Sequence, residues 1–293
     1  MVRPSVNRDG DKLSIVLHRA DKEVAVLKDL DQVTAIHIGL GMGDMNGIGL
    51  KPNPYLVTDA QLATLQGLKS LRVLQAMEAD VSDEGLAHLS GLMNLEELWL
   101  DFNPKITDAG LLHLHGMRKL RVLRFHRSLI TDAGIASIKD FKQLEDLQLG
   151  FAPITDASLQ VISGFTKLKT LDLQNTKVTD DGVKSLAALV DLTWLCLWKT
   201  NVSDQGLAQL EGMTNLTWLI LDSTAVSDEG LSHIKTMVKL ESLYLSSTGV
   251  TDDGLRQLAV LKNLKRLKLK NTRTTAEGHA ALKMALPKLE IIL

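Results

Sequence analysis

The chain has 293 residues, of which 45 % are apolar and 23 % charged, and its formal net charge is −2 at pH 7. This balance excludes a global positive field that would attract nucleic acid or an anionic membrane. No apolar run approaches the roughly 18–20 residues of a membrane span, and the first residues lack the apolar stretch of a signal peptide. The single cysteine, Cys196, excludes an internal disulfide, which favours a reducing compartment such as the cytoplasm.

Residues 1–32 precede the regular part of the chain. Two apolar runs, at residues 13–17 and 23–27, flank a polar segment. They predict two short strands, or a strand and a helical turn. Because a repetitive array needs a terminal unit that covers its first apolar layer, we interpret residues 1–32 as an N-terminal cap.

A first repeat strand is predicted over residues 33–38, and a glycine-rich insertion follows at residues 39–54. The glycines of the insertion lack the spacing of a phosphate-binding loop. We interpret it as a flexible loop beside the first repeat. The alternative is a flap that contacts a partner, with Met42 and Met45 as adaptable apolar contacts.

From Val57 onward the chain repeats a unit of 24 residues, with one extra residue before Ile106. Each unit combines a strand half of the form L-x-x-L-x-L with the signature [VI]-[TS]-D, and leucines at this spacing indicate a solenoid. The signature begins at Val57, Val81, Ile106, Ile130, Ile154, Val178, Val202, Val226 and Val250. We predict about 11 strands in one continuous solenoid domain over residues 33–293.

Each repeat is expected to place a short helix after the signature. The Ser or Thr is a natural helix N-cap, and the Asp then lies in the first turn, where the helix dipole favours negative charge. Glycines stand where each helix should end, and a left-handed backbone is expected there. These are Gly67, Gly91, Gly116, Gly164 and Gly212.

The two halves of the repeat differ in the spacing they require. Parallel strands lie about 4.8 Å apart, whereas neighbouring helices need about 8–10 Å. Stacking should therefore bend the array into a curved α/β arc with a concave parallel sheet and short helices on the convex side.

With these motifs the chain resembles leucine-rich repeat proteins of the T-D-x-G-L type, which are abundant in some bacteria. It is also similar to the repeats of F-box and ribonuclease-inhibitor-like proteins. The resemblance covers residues 33–293 and implies an α/β leucine-rich repeat solenoid with a binding role, without naming a ligand. One departure is a Thr where the commonest pattern has Asn after the strand, as at Thr176; only Asn103 keeps the amide. We expect the Thr hydroxyls to bond the backbone of the turn.

The residues between the strand leucines should face away from the core. All four tryptophans lie at such positions or just after a strand, together with two phenylalanines and a tyrosine. We predict that Trp194 and Trp218 occupy one column of adjacent strands and stack. Large aromatic side chains on an exposed sheet are typical of binding surfaces.

Charged residues are segregated along the same face. Arg124 belongs to a mixed cluster in the first half, whereas Arg266, Lys268 and Lys270 make the last full repeat basic. Mixed charge suggests a partner with its own charge pattern. The candidate partner-binding residues are Trp99, Phe102, Arg124, Phe151, Trp194, Trp198, Trp218, Tyr244, Arg266 and Lys268.

The sequence predicts a non-catalytic module that binds a protein or peptide, with no nucleic acid or membrane partner. No nucleophile or metal-ligand signature appears, so no catalytic residue, cofactor or metal is predicted. We reject a calcium ladder on the Asp column because other oxygen ligands are absent, and we expect Cys196 to be a semi-exposed bystander.

Two alternatives to protein binding remain. The same tryptophans could stack on a glycan or small ligand, or the chain could be a purely structural repeat segment of a larger protein. We expect a monomer, with edge-to-edge association through the C-terminal strand as an alternative.

Overall fold

The computed structural model describes residues 5–9, 12–17, 33–38 and 57–293. The second cap segment and the glycine-rich insertion lie outside these residues. The chain divides into two compact units, Met1–Leu144 and Glu145–Leu293, and each is described by itself. That one continuous domain spans residues 33–293 stays a prediction.

The described part of the first unit contains six strands that pair in chain order. The first two form an antiparallel hairpin, and the later pairs are parallel. The strand predicted at residues 13–17 is confirmed, whereas the strand before it was not predicted. The strands are β1 Ser5–Asp9, β2 Lys12–Leu17, β3 Val33–Ile38, β4 Val73–Ala76, β5 Glu97–Trp99 and β6 Val122–Arg124. The helices are α1 Asp59–Ala63, α2 Asp83–Leu89, α3 Asp108–Leu112 and α4 Asp132–Ser137.

The second unit has seven described strands, and its strand pairs are parallel with a step of 24 residues, so that Trp194 lies opposite Trp218. The strands are β7 Asp146–Gln148, β8 Thr170–Asp172, β9 Trp194–Cys196, β10 Trp218–Ile220, β11 Ser242–Tyr244, β12 Arg266–Lys268 and β13 Glu290–Ile292. The helices are α5 Asp156–Ile162, α6 Asp180–Val183, α7 Asp204–Gln209, α8 Asp228–Leu231, α9 Asp252–Gln257 and α10 Ala276–Ala285. Short 3₁₀ segments follow three of them, at Lys184–Ala188, Ser232–Ile234 and Leu258–Val260.

The repeated leucines form the core of each unit. In one repeat Leu192, Leu195 and Leu197 are all fully buried, and burial of such a side chain contributes about 2 kcal/mol. Strand alternation sends the residues between them to the other side of the sheet. We call this side, opposite the leucine core, the open face.

The Asp of each signature connects consecutive repeats. In the second unit Asp180 accepts hydrogen bonds from the backbone N and the Oγ of Ser203, at 2.7 and 2.5 Å. The Ser hydroxyl is also the predicted N-cap, because it accepts from the backbone N of Gln205. Both carboxylate oxygens are therefore engaged by the next repeat. The same pairs are Asp59–Ser82, Asp83–Thr107, Asp108–Thr131, Asp156–Thr179, Asp204–Ser227, Asp228–Thr251 and Asp252–Thr275.

In most repeats a glycine two residues after the signature Asp makes room for this contact; Gln61 and Ser158 take its place in two repeats. A Cβ built on Gly230 would lie closer than 3 Å to Oδ1 of Asp204, the Asp of the preceding repeat. Real side chains do not approach so closely, so the glycine is required by packing rather than by its own backbone conformation. The same approach occurs in the other described repeats that have this glycine, and also in the last repeat, where Ala276 replaces the signature Asp; the glycines are Gly85, Gly110, Gly134, Gly182, Gly206, Gly254 and Gly278.

The expectation of a left-handed glycine at the helix end is wrong for the described cases. None of Gly67, Gly91, Gly116 and Gly212 has a positive φ, because the chain leaves the helix through residues that keep right-handed torsions, as at Ser90. The left-handed residue instead comes just after each of the strands β4 to β12, and at these positions it is not glycine. These residues are Glu78, Phe102 and Arg127 in the first unit and Phe151, Asn175, Lys199, Ser223, Ser247 and Asn271 in the second.

The Thr column behaves as predicted. Thr176 Oγ1 donates to the carbonyl of Leu173 at 2.6 Å, closing the turn after the strand. The later threonines make the same bond. Asn103 bonds two carbonyls where each Thr bonds one: its amide donates to the carbonyl of Leu100 and to that of Ala76 in the previous repeat.

Candidate functional site

The open face of the second unit carries a compact group of aromatic and cationic side chains. The rings of Trp218 and Tyr244 are 5.7 Å apart between centroids and inclined at 54°. The Arg266 guanidinium lies 4.3 Å from the Trp218 ring centroid, and the Lys268 ammonium lies 5.4 Å from that of Tyr244. Such cation–π contacts are worth about 0.5–1 kcal/mol each at exposed sites. We call these four residues the aromatic–cation cluster.

Parallel pairing builds this cluster from three neighbouring strands. Trp218 of β10 lies in register with Ser242 of β11, which lies in register with Arg266 of β12. The small Ser242 leaves space for the long arginine to reach back to the indole, and its Oγ accepts a bond from Arg266 Nε at 3.1 Å. The aromatic partner of Trp218 is Tyr244 rather than the Trp194 that we expected to stack on it. Trp194 remains its neighbour in the strand register.

A second group lies just beyond the strand ends. Phe151 and Trp198 have ring centroids 5.8 Å apart, and the Lys199 ammonium lies 6.0 Å from the Trp198 ring. Phe151 and Lys199 occupy the left-handed turn position, with φ of 64° and 55°. A left-handed conformation costs a residue with a Cβ roughly 1 kcal/mol, and asparagine, as at Asn175, tolerates it best. Phenylalanine is thus not the residue that the backbone favours here.

The first unit has its own aromatic and cationic contacts. The Arg124 guanidinium lies 4.1 Å from the Trp99 ring centroid, and the buried indole N–H of Trp99 meets no acceptor among the described residues. Phe102 is 41 % exposed and packs between His126 and Arg127, at 5.5 and 5.7 Å.

Three acidic residues near the ends of the strands, two in the second unit and one in the first, are buried and accept hydrogen bonds from backbone N–H groups. Asp172 accepts from the backbone N and the side-chain amide of Gln174, at 2.9 and 2.6 Å. Asp222 accepts from the backbone N of Ser246 at 2.5 Å and lies 3.6 Å from the Lys268 ammonium. Asp101 in the first unit likewise accepts a backbone N–H. These hydrogen bonds tie each carboxylate to a neighbouring strand end or turn.

Cys196 is buried, with 3 % of its surface exposed, so our expectation of a semi-exposed thiol is wrong. Cys196 lies in register with Asp172 of the neighbouring strand β8. Burial, and then the charge of Asp172, raises the pKa of the thiol well above its usual range. The thiol is therefore held in its unreactive, protonated form.

The structure separates the ten predicted site residues into groups. Trp99, Phe102 and Arg124 lie in the first unit. The second unit joins Trp218, Tyr244, Arg266 and Lys268 in the aromatic–cation cluster, pairs Phe151 with Trp198, and places Trp194 beside Trp218. Sequence reasoning missed Ser242, Asp222 and Lys199. Ser242 lies one 24-residue repeat after Trp218, so the periodicity of the sequence could have identified it.

Within residues 33–38 and 57–293, no three His, Cys, Asp or Glu side chains come together as metal ligands. None of the helices in the described ranges is long and apolar enough to cross a membrane.

The model of the Leucine Rich repeat family matches residues 166–187 and 236–259, and no curated protein matches the chain. Among solved structures, the chain is similar to an internalin (inlF) from Listeria monocytogenes, with 22 % identity and a TM-score of 0.66 over 96 % of this chain and 86 % of that one. An internalin C2 (inlC2) from the same organism has 26 % identity and a TM-score of 0.48 over 80 % and 84 %. The family match falls within the repeats described above, and the first structural likeness agrees with their strand–helix alternation. The predicted fold class is therefore confirmed: the chain folds as a leucine-rich repeat solenoid.

Proposed function

We propose that the chain is a non-catalytic module that binds a protein or peptide on the open face of residues 145–293. The aromatic–cation cluster is the observation that carries this proposal. Its rings make no contribution to the leucine core and lie half-buried on the opposite side of the sheet. Trp, Tyr and Arg are the side chains that most often dominate the energy of protein interfaces.

The repeat architecture supports the same function. Stacked repeats present an extended surface suited to a macromolecular partner. Regular parallel pairing also holds the cluster on a rigid sheet, which limits the conformational entropy lost on binding. We propose in addition that the repeats are of the T-D-x-G-L type and that the module is a monomer in a reducing compartment.

A glycan is the second candidate, because sugars stack on tryptophan and tyrosine rings. The contacts within the cluster favour a protein instead. Arg266 covers one face of Trp218 at 4.3 Å, and Lys268 lies over Tyr244 at 5.4 Å. A sugar would have to displace these cations or use the remaining ring faces, whereas a protein partner can contact ring edges and cations together.

A capture experiment tests the proposal. The immobilised chain and its Trp194→Ala, Trp198→Ala, Trp218→Ala variant are exposed to lysate of the organism that encodes the chain. The matched control replaces Val190, Val238 and Val260, which are 50–55 % exposed and lie outside the strands. Circular dichroism and urea unfolding first establish that both variants are folded.

We expect a protein that the native chain and the valine variant capture and that the tryptophan variant loses. Equal capture by all three would remove the open face from consideration. If the tryptophan variant loses only stability and no captured protein depends on the rings, the aromatics serve the sheet alone.

A further inference from the structure

The aromatic–cation cluster continues into a row of positive charge. Arg266 and Lys268 belong to β12, and Lys270 follows two residues later, so the three side chains alternate with the buried Leu267 and Leu269 and share the open face. We call these three cations the basic strip. The strip borders the Trp218 and Tyr244 rings described above.

Of the three cations in this strip, only Lys268 has an acidic partner among the described residues. Arg266 donates to the neutral Ser242 hydroxyl, and the Lys270 ammonium is exposed and has no partner among the described residues. Lys268 lies 3.6 Å from Asp222, which is 6 % exposed and already accepts a backbone N–H. The surface next to the rings is therefore positive although the whole chain carries a net charge of −2.

We propose that the segment bound at this surface is an acidic peptide, with carboxylates over the basic strip and an apolar side chain beside Trp194 and Trp218. This inference rests on the proposed function and specifies the chemistry of its partner. Arginine pairs with carboxylates in a bidentate geometry, and complementary charge at an interface sets orientation and specificity.

The strand spacing sets the length of this segment. Trp194 and Arg266 lie in one register column, three strands apart. At about 4.8 Å per strand the column spans roughly 14 Å. An extended peptide advances about 3.3 Å per residue, so four to five residues, as an estimate, separate its apolar anchor from its first carboxylate.

A single-stranded nucleic acid would also use aromatic and cationic side chains, but the charges here favour a peptide. Nucleic-acid grooves follow a phosphate backbone with many cations, whereas this surface has three cations on one strand. The neighbouring Glu290, in register with Arg266 and exposed, lowers the positive charge at this edge for either kind of partner, so the small number of cations is what favours a short peptide.

The test selects short random peptides on the immobilised full chain and measures their affinity by fluorescence anisotropy at low and high salt. Lys268→Gln, Lys270→Gln removes two charges of the strip. The control, Lys235→Gln, Lys283→Gln, removes two exposed charges that lie outside the strands. We expect selected peptides with more Asp and Glu than Lys and Arg. Their dissociation constant should rise about tenfold in the strip variant and less than twofold in the control.

The outcomes separate this inference from the function on which it rests. Selected peptides that are neutral or basic, yet lose binding in Trp194→Ala, Trp218→Ala, would overturn the acidic partner and leave the binding function in place. If no selected peptide depends on these tryptophans, both fail. An oligothymidine that binds more tightly than every selected peptide, and that the strip variant weakens, would replace the peptide with a nucleic acid.

Discussion

The two sides of the second unit follow opposite rules. On the helical side, each signature Asp accepts a hydrogen bond from the backbone N of the Ser or Thr in the next repeat, and these N–O distances are all 2.7–2.8 Å. On the open face, the same column passes from Thr170 to Trp194, Trp218, Ser242 and Arg266. Positions that every repeat needs for stacking stay constant, whereas positions free of that constraint carry the chemistry of one particular surface.

Replacing a signature glycine should produce the largest loss of stability. In Gly230→Ala the new Cβ meets the Asp204 carboxylate, so the inter-repeat hydrogen bonds must break or the backbone must shift. We expect a loss of about 3 kcal/mol in the free energy of unfolding, measured by urea denaturation. Gly212→Ala is the control, because its Cβ would meet nothing within 4 Å.

A double-mutant cycle identifies the cause of that loss. If the carboxylate is the obstacle, Gly230→Ala should be much less harmful in a chain that already carries Asp204→Ala. Strictly additive effects would show that the glycine is needed for another reason.

The signature Asp residues and their hydrogen bonds to the next repeat form a series that we call the Asp ladder. Removing one Asp of this ladder should have the next largest effect. Asp180→Ala deletes the acceptor for the backbone N and the Oγ of Ser203 and leaves a backbone donor unpaired, which costs about 2 kcal/mol. Asp191→Ala, at an exposed turn, is the control and should change the unfolding midpoint little. Equal losses from the two variants would contradict an inter-repeat role for the ladder.

The left-handed turn position offers a smaller and reciprocal test. Asn175→Phe should lower stability by about 1 kcal/mol, because a bulky residue replaces one that tolerates a positive φ. Phe151→Asn relieves that strain and loses the contact with Trp198, so the two effects should nearly cancel. A large loss of stability in Phe151→Asn would instead make this phenylalanine part of the folding core.

The smallest predicted effect is a dependence on pH. The hydroxyl and then the backbone N–H of Thr275 bond the Asp252 carboxylate and lower its pKa below the usual 3.8. A depressed folded-state pKa stabilises the protein fully above the unfolded value, and this contribution disappears as the pH falls through the folded value. Asp252→Asn should thus lower the urea midpoint at pH 7 and converge with the native chain in acid. A gap that persists in acid would exclude the carboxylate charge as its source.

The sequence predicted the elements whose signals are local. The leucine spacing predicts the strands, and the hydroxyl before each Asp predicts the N-cap, as in Ser203. The bond from Asp180 to the next repeat was missed because it joins residues 23 positions apart. The helix dipole already explains the Asp within its own repeat, so there was no reason in the sequence to expect a contact with the next repeat.

On the candidate site, the sequence predicted the face but not all its contacts. Strand alternation places Trp194 and Trp218 in one column, and the register agrees. The choice of Tyr244 as the ring partner of Trp218, and of Arg266 as its cover, depends on side-chain rotamers and on the small Ser242 between them. Periodicity alone does not determine these.

We assign binding to the open face and the stacking of repeats to the helical side. The most direct test of this assignment measures affinity rather than stability. Isothermal titration would compare the captured partner with the native chain, Tyr244→Ala and Asp180→Ala, at a temperature where all three are folded. Because Tyr244 lies in the aromatic–cation cluster and Asp180 only in the ladder, we expect a dissociation constant at least about tenfold higher for the first and nearly unchanged for the second. An unchanged affinity for Tyr244→Ala, with a large loss for Asp180→Ala, would contradict the assignment of binding to the open face.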